Sequence, residues 1–478
     1  MIIKLLFAVL IILAIIIAIV LIRTLRLKPT SAIHAKAPVG DPVRNKEYGE
    51  KLSKMIQCET ISCRDQEDRS KFYKYHEVLK ELFPNVWANC EYHHFNGSLL
   101  LKWKGKESKD PILFMSHLDV VSASDGWEHD PFSGKIIDGN VWGRGTVDTK
   151  GSFFCLMQAA EEMIRDGYMP KTDVYLAGSC TEEWSGDGAP ATVAWLKEQG
   201  VHLRMLIDEG GMIIEEPING VKGMFAMVGV LEKGYGDVKF VAKGKGGHAS
   251  APGKNTPWAR LAAFIHEVET KNPFRLEINP TVREMFKRMT PNMDFKMRLL
   301  FSNLWLFEGL LKKLMPVISP VGAALMQTTL AFTKGEGSKG YNVLPSEAYV
   351  TGNMRFIPHQ ATDESIELIS KIAKKYDIDT EVIIAEQPCP VVSYESAEFN
   401  MLEEAVHKFY PDVTVTPYVM TGGTDAKYYS DVCDNCLRFA PLYITGQQYK
   451  SIHAKNENIG LATLPSGVDF YKEIIKMQ

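Results

Sequence analysis

Three apolar runs that each lead into acidic residues constrain this chain more than any other feature of it. Ile112 to Val121 is almost unbroken, with His117 and Asp119 two apart, and Asp173 to Ser179 and Leu203 to Ile207 lead into Glu182-Glu183 and Asp208. Near-continuous apolar runs of this length are the pattern of parallel strands covered on both faces, and residues two apart on a strand point the same way. A helix expected over Ser152 to Asp166, ended by Gly167, follows Asp148, and strands alternate with helices to about residue 224. The expected class is α/β, built on a mostly parallel sheet. Open sheets of that kind bind ligands beyond the carboxyl ends of their strands, so these acids converge on the usual site edge.

His117, Asp148, Glu183, Asp208 and His453 make a metal-ligand set. Two divalent ions roughly 3.5 to 4 Å apart need about five oxygen and imidazole ligands, one of them bridging, and a base for the metal-held water. These five fill the set, which leaves Glu182 as the base. Taken singly, each has a plainer reading: a His-x-Asp is commonly a hydrogen-bonded pair, and a Glu-Glu is commonly solvated surface. Their joint placement at strand ends favours the metals. Two imidazoles and three carboxylates without a thiolate suit zinc, with cobalt or manganese as alternatives. Cys180 lies close by, but a small buried apolar role is its ordinary one.

After residue 224 the pattern changes. Gly234 to Lys243 reads as a strand, Thr256-Pro257 opens a helix, strands follow at Thr328 to Thr333 and Glu347 to Phe356, then a helix from Thr362 to Tyr376 and a strand from Thr380 to Ala385. That is the order of a ferredoxin-like α+β unit. The expected organisation is a catalytic domain over 45–224 and 388–478, with 225–387 inserted as a lid. Residues 272–327 enlarge the insertion, and within them Leu299 to Leu314 and Met315 to Met326 are unusually apolar, with Trp305, Phe307 and Leu310 among them. Core or dimer packing explains such a stretch by default, and an acyl-chain or membrane-proximal surface is the alternative.

The strings MSHLDVV, GRGTVDTKG, TEEWSG, IDEGG, GKGGHASAP, NVLPSEAYVTGNMR, GGTDA and IHAKNE resemble, in order, the motifs of the M20 metallopeptidases, from about residue 45 to the end. The segment FSNLWLFEGLLKKLM looks closest to the branch containing carboxypeptidase S and N-acyl-amino-acid hydrolases. The resemblance implies one metal on His117, Asp148 and Asp208, and another on Asp148, Glu183 and His453, with Asp148 bridging. It implies that Asp119 accepts the ring N–H of His117, and that Glu182 is first the general base and then the acid for the leaving amine. Arg355 matches the arginine that grips a substrate carboxylate, and His248 the histidine that stabilises the oxyanion across a homodimer interface. Asn342 and the loop at Gly423 would add polar contacts. Taken alone, Arg355 and His248 would be structural. The implied substrates are short peptides or N-acyl amino acids; a non-catalytic binding protein on the same fold is disfavoured by the complete ligand set.

Leu5 to Ile22 is an unbroken run of 18 apolar residues. At 1.5 Å per residue that gives roughly 27 Å of helix, close to the thickness of a bilayer core. It is longer than a signal-peptide core and is followed by Arg23-Thr24-Leu25-Arg26, so residues 1–23 read as an uncleaved membrane anchor and 24–44 as a linker. Arg23, Arg26 and Lys28 lean towards a cytoplasmic catalytic part, the resemblance leans the other way, and the side stays open. A net charge of −4 suggests no nucleic-acid partner. Eight cysteines are too few in 478 residues for a disulfide framework.

Overall fold

The computed structural model describes residues 2–64 and 68–478. Its largest sheet has ten strands, in the order 91–95, 98–103, 172–179, 107–117, 205–208, 436–438, 224–232, 213–215 and 443–444, with 414–420 paired to 224–232. The centre is parallel: 107–117 lies between 172–179 and 205–208, and 205–208 is followed by 436–438. Alternate residues of the central strand bury into opposite layers. Phe114 packs with Phe153, Leu156 and Tyr471, from the helices Lys150–Arg165 and Leu464–Lys476. Leu113 and Met115 pack with Ala189, Val193 and Leu196, from the helix Gly188–Glu198.

Overall the sheet is mixed, which corrects the expectation of a mostly parallel one. Strands 91–95 and 98–103 form a hairpin, 98–103 runs antiparallel to 172–179, and 213–215 antiparallel to 224–232. The hairpin turns at Asn96-Gly97, both with positive φ (47° and 101°). A two-residue turn of that kind returns the chain directly beside itself, whereas a parallel neighbour needs a long crossover.

A second, antiparallel sheet has the order 329–336, 347–356, 234–243, 379–385. Helices Pro257–Lys271 and Thr362–Lys375 cover one face, with Leu261, Phe264 and Ile369 on Val238, Phe240 and Met354. Along the chain these elements run strand, helix, two strands, helix, strand. Between the first helix and the next strand, the helices Pro280–Met289, Phe295–Phe301 and Leu304–Ile318 bury Val282, Phe286, Phe301, Leu311 and Met315 against Phe225, Leu231 and Val419 of the ten-stranded sheet.

Among the described residues, one helix, Ile2–Arg26, is long and apolar enough to cross a membrane. The segment after it does not hang free. Thr30 N–H donates to Asn292 Oδ1 (2.8 Å), Asn292 Nδ2 donates back to Thr30 Oγ1 (2.9 Å), and Ala32 is 1% exposed. Asp41 then caps the helix Pro42–Ile56 through the N–H groups of Val43 and Arg44. Within the stretch that reads as a linker, residues 30–32 form a strap on the body through these contacts, while most of the others are exposed.

Candidate metal centre

His117 ends the central strand, and Glu182 and Glu183 follow the neighbouring strand 172–179 on a short 3-10 turn. Asp148 lies on the loop before the helix Lys150–Arg165, and His453 on the turn after the helix Gly446–Ser451. Two groups of side chains can each hold a cation, with their ligand atoms within 4.8 Å of one another: His117, Asp148 and Glu209, and Asp148, Glu183 and His453. Asp148 belongs to both. Its Oδ1 faces His117 Nε2 at 2.9 Å and its Oδ2 faces His453 Nε2 at 3.0 Å, the orientation a bridging carboxylate requires. Glu183 Oε2 lies 3.1 Å from His453 Nε2, and Glu209 Oε1 3.3 Å from His117 Nε2.

Asp208, expected in the first group, does not lie in it, and its neighbour Glu209 does. The Asp208 carboxylate faces away and accepts the backbone N–H groups of Glu209 (2.8 Å) and Ala426 (2.9 Å). Adjacent residues at a strand end point to opposite sides, so only one of the pair can meet His117. Asp119 also has a different placement in detail. His117 Nδ1 lies 2.8 Å from the backbone carbonyl of Asp119 and 3.5 Å from its carboxylate. The carboxylate instead accepts from Ser62 Oγ and from the N–H groups of Glu182 and Glu183 (both 3.2 Å), and so holds the turn that carries both acids.

Glu182 belongs to neither group and lines a cleft of about 530 Å³ between the two sheets. Glu183, His453, Arg355 and Gly423 line it too, as do Lys233, Tyr235 and Lys427, which sequence reasoning did not single out. The Arg355 guanidinium sits 4.7 Å from the centre of the Tyr235 ring, and Tyr235 O–H donates to Asp237. His248 and Asn342 are elsewhere. His248 is exposed, pairs in a short ribbon with Val343, and holds Ser250 Oγ at 2.7 Å from Nδ1. Asn342 is exposed, and its backbone carbonyl accepts from Ala249 N–H.

A carboxylate absent from the expected set fixes the whole loop. Glu457, fully buried, accepts the N–H groups of Gly145, Val147 and Asp148 and an N–H from the 2%-exposed Arg144 at 2.7 Å. Arg144 also donates to Ala454 O, next to His453, whose φ is +57°. One buried ion pair therefore ties together the turns that carry Asp148 and His453. The signal was present in the string IHAKNE, but a glutamate after Lys and Asn reads as surface.

Electrostatics favour bound cations. Burial pushes Glu182 well above the usual carboxylate range, with Glu209, Asp425 and Glu183 adding to it and His117 opposing. Burial also raises Glu209 to about 8, Asp425 to about 7 and Asp208 to about 6. Hydrogen bonds to Asp148 and Glu183 hold His453 up at about 10. A nest of buried acids that resist ionisation is the environment that divalent charge reverses, and imidazole with carboxylate is a donor set for such ions.

The fold and these groups define an α/β architecture with a donor set for two metals at its strand ends. Residues 113–477 match the model of peptidase family M20/M25/M40. The chain belongs to that family and is, by family, a metallopeptidase. It is 32% identical over 449 residues to the probable carboxypeptidase S-like 2 of Dictyostelium discoideum, covering 90% of this chain and 85% of that one. It is 31% identical over 436 residues to the N-fatty-acyl-amino acid synthase/hydrolase PM20D1 of Homo sapiens, covering 89% and 87%. Among solved structures, the M20 family metallo-carboxypeptidase Sso-CP2 from Sulfolobus solfataricus shares the fold, with a TM-score of 0.66 at 17% identity over 89% of this chain and 98% of that one.

Proposed function

We propose that the protein hydrolyses the amide bond between an acyl or peptidyl group and an amino acid with a free carboxylate, acting first as a carboxypeptidase of short peptides. The observation that supports this most is the pairing of Glu182, outside both ligand groups, with Arg355 across one cleft. His117, Asp148 and Glu209 would hold one divalent ion and Asp148, Glu183 and His453 the other, with zinc the first choice. Bound ions would polarise the scissile carbonyl and acidify water. Glu182 takes the proton from the attacking water and delivers it to the departing nitrogen as the C–N bond breaks, giving a carboxylic acid and a free amine. Arg355 receives the substrate carboxylate, since a planar guanidinium matches it bidentately.

N-acyl amino acids are the second substrate class. They share the same scissile bond and carboxylate, and the exposed apolar helix face of the insertion favours them. The unit over 225–387 acts as a lid and a dimer contact, with His248 reaching the partner's cleft, and residues 2–26 anchor the protein in a membrane. The test uses metal-loaded protein, wild type and Arg355→Ala, with one acid substrate and its carboxamide. Losing the guanidinium lowers kcat/KM for the acid by the equivalent of about 2 to 5 kcal/mol, the cost of stripping a buried charge of its partner. The amide, already a poor substrate, barely changes. Equal fractional losses for the two would remove Arg355 from substrate recognition and leave it a structural role.

A further inference from the structure

The end of the helix Ile2–Arg26 is bolted to the insertion at one place. Asn303 Nδ2 donates to Val20 O (3.3 Å) and Thr24 Oγ1 (3.2 Å), Thr24 Oγ1 and Ser302 Oγ lie 3.1 Å apart, and Arg23 Nε donates to Ser302 O (3.2 Å). Thr24 and Asn303 are both fully buried in this joint, whereas nearly all of the helix before Val20 is exposed. The apolar run Leu5–Ile22 is about as long as a bilayer core is thick, so Val20 and Thr24 straddle the edge of the hydrocarbon layer when this helix spans one. Residues 302 and 303 are then held at that level.

Helix Leu304–Ile318 starts from the joint. Leu311 and Met315 turn into the protein core, at 1% and 7% exposed. The other side presents Leu306 (41%), Leu310 (46%), Leu314 (40%) and Val317 (84%), a stripe at spacings of four, four and three, continued by Ile318 (63%) and Val321 (72%). Trp305, at 53% exposed, stands beside the joint, and Lys313 is exposed along the same helix. Apolar surface on this scale, with an aromatic at one end and lysine at its margin, is the pattern of a helix lying in a membrane interface. Lipid is the partner nearest to this face, because the helix that carries it starts from residues held at the edge of the bilayer.

We propose that the face of Leu304–Ile318 running through Leu306, Leu310, Leu314 and Val317 seats in the interfacial layer of the bilayer crossed by Ile2–Arg26. This rests on the anchor reading of that helix. The seat reaches the cleft mechanically: Lys233, which lines it, donates to Ala324 O (3.0 Å) and Gln327 O (2.8 Å) at the end of the insertion. A protein so seated holds its cleft close to the lipid, within reach of acyl chains that partition there.

The experiment places the full chain in phosphatidylcholine vesicles whose acyl chains are brominated near the headgroup end, and compares it with Trp305→Phe. The emission that Trp305 contributes, taken as wild type minus variant, falls to less than half of its value in unbrominated vesicles. Leu310→Glu with Leu314→Glu, checked for folding by circular dichroism, at least halves that quenching, because the joint alone then keeps Trp305 near the lipid; quenching unchanged in this variant also overturns the proposal. Trp305 emission that is unquenched by bromine, whether open to aqueous iodide or shielded from it by protein, overturns the proposal. Alkaline carbonate extraction separates the two readings. A chain that resists extraction while Trp305 stays unquenched defeats the seat alone, and a chain released by it defeats the anchor as well.

Discussion

Two glycine-rich loops carry residues that the sequence assigns to the site, GRGTVD with Asp148 and GKGGHASAP with His248, and they are built to different tolerances. In the first, a Cβ at Gly143 would lie 2.3 Å from Ile56 Cγ2 and one at Gly145 2.7 Å from Val120 Cγ1, with both residues at positive φ. The backbone there is pressed against the core and gripped by Glu457. In the second, Gly247 also has positive φ, but a Cβ would meet nothing within 4 Å, and His248 touches only its neighbour Ser250 through its side chain. Glycine at 143 and 145 serves both packing and conformation, and at 247 conformation alone. The chain thus over-determines the loop of Asp148, proposed to hold metal, and leaves His248, proposed to act on a partner's substrate, on an exposed ribbon.

The largest expected effect tests the chemistry of the rigid side. Glu182→Gln keeps its shape but cannot take a proton, so kcat falls by roughly 10²- to 10⁴-fold while metal content by atomic emission is unchanged. A variant within tenfold of wild type would remove Glu182 as the base. Next comes the clamp. Glu457→Gln leaves Arg144 buried without its counter-charge, which costs about 3 to 5 kcal/mol. Denaturant unfolding of the metal-loaded protein measures this, and a loss of metal affinity accompanies it because Asp148 and His453 loosen together. Stability and metal content like wild type would mean that the two loops are held by other contacts.

The smallest effect probes the loose side. If His248 acts in a partner's cleft, mixing inactive Glu182→Gln and inactive His248→Ala chains restores about a quarter of wild-type activity, since half the dimers are mixed and each has one complete site. No recovery despite proven subunit exchange would assign His248 to its own chain or to none.

What the sequence made legible follows the same division. Runs such as Ile112–Val121 announce strands because burial on both faces demands unbroken apolar residues, and the acids at their ends stand out against that background. The choice between Asp208 and Glu209 is not legible, because both are acids at one strand end and only the direction of each side chain separates them. Glu457 was hidden for a related reason: its partners are backbone N–H groups and an arginine 313 residues away in the chain. The sheet's mixed character depends on pairings that local patterns do not encode, although Asn96-Gly97 offered a local clue to one of them. The strap over residues 30–32 reads as linker because its composition is that of a linker, and only Asn292 and its neighbours make it otherwise.

The central claim is that Glu209, with His117 and Asp148, completes one of two metal positions. Metal stoichiometry per chain after exhaustive dialysis, measured on Glu209→Gln and Asp208→Asn beside wild type, tests it directly. Glu209→Gln is expected to retain one metal where wild type retains two. Asp208→Asn is predicted to keep both, because its carboxylate accepts only backbone N–H groups. The reverse pattern, with Asp208→Asn losing a metal and Glu209→Gln keeping two, would contradict the account.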